Sequence, residues 1–252
     1  MVRLKKSLGQ HLLISPGILQ KIAEKAEIKE GDIVVEIGPG TGALTKYLLQ
    51  YPLKRLYLLE IDPEMIKELR SKFSDERLTI YQADAVSFNY RNLGEGPLKV
   101  VGNLPYNVAS LIIENVVYYH VLIPQVVVLV QKEVAEKWLT QGSWLSIFIQ
   151  TFYDLDYIMT IPPRFFHPPP KVDSSLIKLS LHVKTSLADL AKYKNFLTHL
   201  FQHKRKMLRK KFPAELLEKS QIDGHLRVEA LSLGEILRLY EHFIDWLEPQ
   251  VK

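Results

Sequence analysis

The chain has 252 residues, 47% of them apolar, a formal net charge of +5 and no cysteine. This length allows one large domain and a smaller one, and the lack of cysteine excludes a disulfide framework, cysteine-ligated zinc and a thiol nucleophile. The positive charge favours an anionic partner, although its distribution along the chain is more informative than the total.

The apolar segments do not favour a membrane protein. The start of the chain is basic but has no uninterrupted apolar segment, so we predict no signal peptide. The longest apolar run, residues 121–130, contains Pro124 and Gln125 and is too short to span a bilayer. Together with the lack of cysteine, this predicts a cytoplasmic protein with no membrane partner.

In chain order, the sequence pattern alternates between helices and strands. Ser15 and Pro16 are typical of a helix start, and apolar residues at near-helical spacing extend this helix to about residue 26. The predicted strands that follow are residues 33–37, 56–62, 78–84, 98–102 and 125–130, and the helices between them are residues 43–50, 63–73 and 108–119. This alternation implies parallel strands joined by crossovers, as in an open α/β sheet.

The second half of the chain changes in character. Helical patterns occur at residues 131–138 and 143–151, and residues 152–161 and 174–183 are predicted to pair as a hairpin. Strand patterns then stop, and helical ones continue to a final amphipathic segment at residues 229–246 that is interrupted at Gly234. We therefore predict two domains, residues 1–184 and residues 185–252.

The first two strands end in residues suited to a nucleoside ligand. Gly38 and Gly40 form a glycine-rich turn before a helix, where the main chain can approach a ligand closely. The second strand ends in Glu60, Ile61 and Asp62 about twenty residues further on, where a carboxylate can accept both hydroxyls of a ribose. The G-x-G-x-G spacing is not that of an NAD site, and no P-loop is present.

Other polar residues lie at the same predicted sheet edge. Asp84, at the end of the third strand, can accept a hydrogen bond from an adenine amino group, and the Ala85 N–H can donate to a ring nitrogen. Glu36, just before the glycine turn, is predicted to contact the amino-acid end of a cofactor. Capping a helix is the alternative role for Glu36 and, with equal weight, for Asp62.

The fourth strand leads into Asn103, Leu104, Pro105 and Tyr106, a turn suited to holding an amino-substituted ring. The exocyclic amine of adenine is a poor nucleophile because its lone pair is delocalised into the ring. The side-chain oxygen of Asn103 and a backbone carbonyl beside Pro105 can accept its two N–H groups and localise that lone pair. Tyr106 offers a face on which the base stacks. The alternative is an ordinary Asn-Pro-type turn.

Residues 161–174 contain five prolines, which predicts a stiff extended loop. Such a loop can present Phe165 or Phe166 at a fixed place as the second wall of the base pocket. Packing in the core is the alternative for Phe166 and is favoured for Phe165.

Two clusters of basic residues are candidates for RNA contact. Arg3, Lys5 and Lys6 either touch phosphate or form a solvated tail. Residues 204–211, on a predicted helix, have no interleaved acid, and phosphate contact is favoured over a solvated helix face. The basic residues of this second cluster are Lys204, Arg205, Lys206, Arg209, Lys210 and Lys211.

We predict no metal site and a monomeric protein. His199 and His203 have the i, i+4 spacing of a metal-binding helix, but Leu200 stands where a metalloprotease helix has Glu.

With these residues in view, the sequence resembles the ribosomal RNA adenine N6,N6-dimethyltransferases over nearly the whole chain. This family includes the small-subunit dimethylase linked to kasugamycin sensitivity and the erythromycin-resistance methylases. The segments that carry the resemblance are LGQHLL (8–13), EIGPGTG (36–42), EID (60–62), ADA (83–85), NLPYN (103–107), QKEVA (131–135) and PPPKVDS (168–174). The PPPKVDS segment and the short helical tail are more similar to the small-subunit branch.

The resemblance implies a fold and an activity. The implied α/β fold has a Rossmann-like class I methyltransferase domain, with a mostly parallel seven-stranded sheet and helices on both faces, followed by a small all-helical RNA-binding domain. The implied methyl donor is S-adenosylmethionine, which leaves as S-adenosylhomocysteine, and the implied substrate is small-subunit rRNA in a pre-30S particle. The expected product is two adjacent N6,N6-dimethyladenosines near the 3′ end of this rRNA.

The resemblance also implies roles for individual residues. Residues 103–106 would hold a flipped adenine, and Phe166 would stack on its other side. The implied cofactor ligands are His11, Leu13, Gly38, Glu60, Asp84 and Asn103, and Glu36, Gly40, Ile61 and Ala85 complete the predicted cofactor site. The family usually has Asn-Phe where this chain has His11-Leu12, which leaves the role of the His11 side chain open.

Three functional hypotheses follow. The first is direct in-line methyl transfer to N6 without a covalent enzyme intermediate, driven by orientation and by acceptors that localise the lone pair. The second is a ribosome-assembly factor that acts mainly by binding, motivated by the basic cluster at residues 204–211. The third, weaker one is a DNA adenine methylase, because a similar tetrad serves adenines in either polymer.

Overall fold

The computed structural model of the protein describes residues 11–94, 96–182 and 187–247. Its main sheet has seven strands in the order β4-β3-β2-β5-β6-β9-β7. These strands are β2 (Ile33–Ile37), β3 (Arg55–Glu60), β4 (Leu78–Gln82), β5 (Leu98–Asn103), β6 (Gln125–Gln131), β7 (Tyr153–Ile161) and β9 (Ser174–Leu181). The five strands from β4 to β6 are parallel, and β9 is antiparallel to both β6 and β7. The predicted mostly parallel sheet and the terminal hairpin are confirmed.

The helices that follow the strands lie close to their predicted positions. They are α1 (Pro16–Lys25), α2 (Thr45–Leu48), α3 (Pro63–Lys72), α4 (Ala109–Tyr118), α5 (Lys132–Leu139) and α6 (Trp144–Phe152). Asp62 caps α3, since its carboxylate accepts a hydrogen bond from the Glu64 N–H at 3.0 Å, and Pro63 occupies the first helical position. The helix-cap alternative for Asp62 is therefore correct.

Two predicted segments differ from the structure in length or type. The helix expected at residues 43–50 is reduced to α2, and residues 41–44 and 49–50 on either side of it form turns. The proline-rich segment is not a plain loop. It contains a 3-10 turn at Pro163–Phe165 and a two-residue strand, β8 (Phe166–His167), which pairs antiparallel with β1 (Leu12–Leu13).

The described residues form two compact units. The first contains the chain up to Glu136 together with Tyr153–His182, and the second contains Lys137–Phe152 together with the described residues after His182. Helix α6 therefore lies in the second unit, although the predicted boundary at residues 184 and 185 assigned it to the first domain. Sequence patterns could not show this, because β7 returns to the first unit after α6.

The second unit is helical in its described part. Its later helices are α7 (Leu190–Phe201), α8 (Ala214–Lys219) and α9 (Leu233–Leu247), with short 3-10 turns between them. Aromatic rings form its core, with Tyr193, Phe196 and Tyr240 in mutual contact. Tyr193 is fully buried, and its hydroxyl shares a hydrogen bond with Thr151 of α6.

Two predictions for this unit are wrong in detail. The basic segment at residues 204–211 is not a helix: α7 ends at Phe201, and His203 has a φ of +53°, after which turns and a 3-10 helix at Leu208–Lys210 follow. The last helix starts later than expected and is not broken at Gly234. Ser232 and Glu235 form a reciprocal capping box, which fixes the helix start at Leu233.

Candidate active site

The carboxyl ends of the parallel strands meet at one cavity, where the sequence placed the ligand. The turn that is predicted to be catalytic, residues 103–106, lines this cavity. The predicted cofactor residues that line it are His11, Gly38, Gly40, Glu60, Ile61, Asp84, Ala85 and Asn103. Residues from four strand ends and from the segment before β1 are thus brought together.

The glycine turn forms one wall of the cavity with main-chain atoms. Gly38 and Gly40 have φ angles of +66° and +54°, values that L-residues with side chains rarely adopt. A Cβ atom on Gly40 would also lie 2.8 Å from Cδ2 of Leu12. The turn therefore requires glycine for conformation at both positions and for space at Gly40, and it lets a ligand approach the backbone.

Glu60 is a buried carboxylate held by the main chain. Its Oε1 accepts hydrogen bonds from the N–H groups of Ile61 and Asp62, both at 2.9 Å, and its Oε2 accepts one from Gly40 at 3.2 Å. Burial raises the pKa of this carboxyl, and the three N–H groups oppose the rise. Because Oε2 has a single donor here, it retains capacity for a ligand hydroxyl, which fits the predicted ribose contact.

The loop after β4 brings Asp84 and Ala85 to the cavity, and a residue that the sequence analysis missed holds it. The side-chain amide of Asn115, on α4, donates to the carbonyl oxygens of Ala85 and Phe88, both at 3.0 Å. Residues 112–117 are apolar except for Glu114 and Asn115, and this amide within a largely apolar helix segment was the available signal. Asn115 therefore supports the loop without lining the cavity.

Replacing Asn115 with aspartate is expected to weaken S-adenosylmethionine binding at least about tenfold. The carboxylate would place an acceptor against two carbonyl oxygens, which leaves unmet hydrogen bonds that cost about 1–3 kcal/mol each. Isothermal titration of the methyl donor measures the effect. Asn92→Asp introduces the same charge at an exposed position and is the control. Equal affinity in both variants would show that Asn115 does not shape the site.

Asn103 is oriented by the main chain of residue 11. Its Nδ2 donates to the His11 carbonyl oxygen at 2.7 Å, so Oδ1 is the acceptor that remains on this amide. Leu104 is buried, and its N–H donates to the Leu129 carbonyl at 3.0 Å. The turn at residues 103–106 is therefore fixed to β6 on one side and to residue 11 on the other.

Tyr106 is held at both its hydroxyl and its ring. The hydroxyl shares a hydrogen bond with Ser174 Oγ, and the ring stacks with His11 at a centroid distance of 5.3 Å and an interplanar angle of 28°. Burial raises the pKa of the Tyr106 phenol, and the hydrogen bond with Ser174 opposes this rise. The phenol is therefore neutral at physiological pH. The PPPKVDS motif contains Ser174, but its partner could be identified only from the structure.

Three predicted site residues do not line the cavity. Leu13 and Phe166 are opposite each other in the β1 and β8 pair, and both are buried in the hydrophobic core, with Phe166 only 2% exposed. Phe166 therefore presents no ring face to the cavity in this structure, and its role as a base-stacking wall stays a prediction. Glu36 is 1% exposed and accepts a hydrogen bond from the Thr45 hydroxyl at 2.7 Å, so it lies behind the glycine turn.

The basic residues of the second unit differ in their partners. Lys204 forms an ion pair with Glu229 at 2.9 Å, although no acid is interleaved in the sequence. Arg209 Nη1 donates to His225 Nε2 at 2.8 Å, and Lys211 Nζ donates to the Leu200 carbonyl. Arg205, Lys206 and Lys210 are exposed. The predicted contacts of Arg3, Lys5 and Lys6 lie outside the described residues.

The sequence of this chain is similar to those of known ribosomal RNA methyltransferases, in agreement with the geometry of the cavity. Residues 1–245 match the family model of the ribosomal RNA adenine dimethylases. The chain belongs to this family. A relative from Persephonella marina, named ribosomal RNA small subunit methyltransferase A, is 43% identical over 251 residues, which cover 96% of this chain and 95% of the relative.

Two solved structures are similar over almost all of the chain. A dimethyladenosine transferase from Plasmodium falciparum has a TM-score of 0.81 and 29% identity, with 93% of this chain and 98% of that one covered. The 23S rRNA methyltransferase ErmE has a TM-score of 0.72 and 26% identity, with 92% and 98% covered. The predicted family, the class I methyltransferase fold and the assignment as an rRNA adenine dimethyltransferase are confirmed.

S-adenosylmethionine is the methyl donor of this enzyme, as the family and the methyltransferase fold indicate. The residues present fit it: a main-chain glycine wall, a carboxylate with a remaining acceptor at Glu60, and Asp84, which lines the same cavity. In the described ranges, no helix is long and apolar enough to cross a membrane.

Proposed function

We propose that the protein dimethylates N6 of two adjacent adenosines near the 3′ end of small-subunit rRNA, within a pre-30S particle. The observation that carries the proposal is the orientation of the Asn103 amide. Its nitrogen donates a hydrogen bond to the carbonyl of residue 11, so the amide oxygen of Asn103 is available to accept from an adenine amine. The branch is supported by the 43% identity to a small-subunit methyltransferase against 26% to ErmE.

The chain's own residues orient and activate the amine. When bound, S-adenosylmethionine supplies an electrophilic methyl group on a positively charged sulfur. Asn103 Oδ1 and the Leu104 carbonyl accept the two N6 hydrogens and localise the nitrogen lone pair toward that methyl. Tyr106 supports the ring of a flipped base. No strong general base is required, since the methylated ammonium is acidic enough to lose a proton to water.

The test is transfer of labelled methyl groups to unmethylated small ribosomal subunits, followed by mass mapping of the modified nucleotides. We expect N6,N6-dimethyladenosine near the 3′ end of the small-subunit rRNA. Transfer only to large-subunit RNA would move the protein to the antibiotic-resistance branch. Tight binding of small subunits without transfer would support the assembly-factor hypothesis instead.

We further propose that residues 185–252, together with Lys137–Phe152 of the same unit, form an RNA-binding domain, and that the protein is monomeric and cytoplasmic. The exposed side chains of Arg205, Lys206 and Lys210 support this role, because each can reach phosphate without giving up a described partner. Lys204 and Arg209 must exchange a protein partner for RNA.

Charge reversal of Arg205, Lys206 and Lys210 to glutamate is expected to weaken binding of small subunits and flatten its salt dependence. Each lost phosphate contact lowers the slope of log K against log salt by about 0.7–0.9, so the triple variant should lose about two units of slope. Binding is measured between about 50 and 200 mM salt. Lys192→Glu and Lys219→Glu, at lysines paired with Asp189 and Asp245, form the control. An unchanged slope in the triple variant would remove the phosphate role.

A further inference from the structure

His11 contacts two other parts of the active site at once. Its ring stacks on Tyr106, and its Nδ1 lies 2.8 Å from the Pro168 carbonyl oxygen. Its main-chain carbonyl accepts the Asn103 hydrogen bond at 2.7 Å. Residue 11 thus connects the segment before β1, the catalytic turn after β5 and the proline-rich segment.

The hydrogen bond to Pro168 fixes the state of the His11 ring. A carbonyl oxygen can only accept, so Nδ1 must carry the hydrogen. The ring is then held at its edge by this bond and at its face by Tyr106. An offset aromatic stack of this geometry stabilises the pair beyond the area that it buries.

This arrangement determines how Tyr106 can serve as a platform. One face of its ring is covered by His11, and its hydroxyl is tied to Ser174. Tyr106 and His11 both line the cavity, and the face of the Tyr106 ring that His11 leaves uncovered is the one on which a base can stack. The His11 side chain therefore supports the Tyr106 ring from the face opposite to the stacking face.

We propose that His11 is a positioning residue, which holds Tyr106 as the stacking platform for the target adenine through its ring and its bond to Pro168. The inference rests on the proposed role of Tyr106. The main-chain bond to Asn103 exists for any residue at position 11, so the side chain can be tested by itself. Asparagine, the residue that the family usually has here, keeps a donor for Pro168 but lacks a ring.

The experiment compares His11→Ala, His11→Asn and His11→Phe by kcat, by KM for unmethylated small subunits and by the Kd of S-adenosylmethionine. We expect His11→Ala and His11→Asn to lower kcat/KM for the RNA substrate about two- to tenfold, the range that corresponds to loss of an aromatic pair. His11→Phe should recover most of this loss, and the Kd of the methyl donor should stay within about twofold. His167→Ala, which removes an exposed imidazole from the neighbouring strand, is the control.

A double-mutant cycle with Tyr106→Ala separates positioning from general stability. If His11 acts through Tyr106, His11→Ala has no further effect on kcat/KM in the Tyr106→Ala background. Effects that multiply in the double variant would overturn the proposal, and so would a loss of methyl-donor affinity in His11→Ala, which would make His11 a cofactor ligand.

Where His11→Ala lowers the melting temperature below the assay range, the comparison of kcat/KM between His11→Phe and His11→Asn tests the proposal instead. If the wild-type enzyme does not methylate small subunits, the proposed substrate is refuted. If it does, but His11→Ala and Tyr106→Ala lower kcat/KM independently of each other, only the role of His11 is refuted.

Discussion

Replacing Asn103 with alanine is expected to lower kcat for methyl transfer roughly a hundredfold to a thousandfold, the range found when one preorganised polar group at a reacting centre is removed. Alanine removes Oδ1, the acceptor for an N6 hydrogen, and also the bond from Nδ2 to the His11 carbonyl. The amine then keeps its lone pair delocalised in the ring. Single-turnover transfer with saturating small subunits and methyl donor measures this effect on the chemical step.

Asn103→Asp distinguishes the acceptor from the hydrogen bond that orients it. The carboxylate keeps an acceptor oxygen but cannot donate to the His11 carbonyl. We therefore expect its single-turnover rate to lie between those of the wild-type enzyme and Asn103→Ala. Full activity in Asn103→Ala would refute the role of this side chain, and equal loss in both variants would assign the effect to orientation alone.

The strands of the sheet could be predicted closely because their signals are local. Each buried strand is a short apolar run, and residues 33–37 are buried along their whole length, as expected for a central parallel strand. Pro16 and Pro63 mark the starts of α1 and α3 in the same local way. Where the determinant was distant, as for the assignment of α6 to the second unit, the sequence pattern was insufficient.

In the candidate active site, too, local features could be predicted from the sequence and long-range ones could not. The motifs identified which residues meet at the sheet edge, because parallel strands place their carboxyl ends together. They did not show which way Phe166 faces, since this depends on its pairing with Leu13 across β1 and β8. The partners of Asn115 and Ser174 are 27 or more residues away in sequence, and such long-range hydrogen bonds leave no periodic signal.

Glu36→Gln is expected to remove a pH dependence from the stability of the enzyme. Burial raises the pKa of the Glu36 carboxyl from 4.5 to about 8, the nearby Glu60 adds to the rise, and the hydrogen bond from Thr45 opposes it. Between pH 4.5 and 8 the folded state keeps a proton that the unfolded state has lost. The free energy of unfolding therefore falls as pH rises through this window, by at most about 1.4 kcal/mol per pH unit from this group, and levels off above it.

Urea unfolding at several pH values within that window, for the wild-type protein and Glu36→Gln, measures the difference. Glutamine has no proton to lose, so the variant should gain stability relative to the wild type as pH rises. Glu215→Gln, which makes the same substitution at an exposed acid, is the control. Parallel curves for Glu36→Gln and the wild type would show that Glu36 is ionised in the folded state.

The protonation of Glu36 also has a consequence for the cofactor site. Glu36 lies behind the glycine turn, and its charge interacts with Glu60, which lines the cavity. A neutral Glu36 keeps a second negative charge away from Glu60, so a single buried carboxylate faces the cavity. Above about pH 8, ionisation of Glu36 would place two like charges in one buried site. S-adenosylmethionine affinity should therefore fall above this pH in the wild type and fall less in Glu36→Gln. The same titration that measures affinity across pH thus tests whether Glu36 acts on the cofactor through Glu60 or only on the stability of the fold.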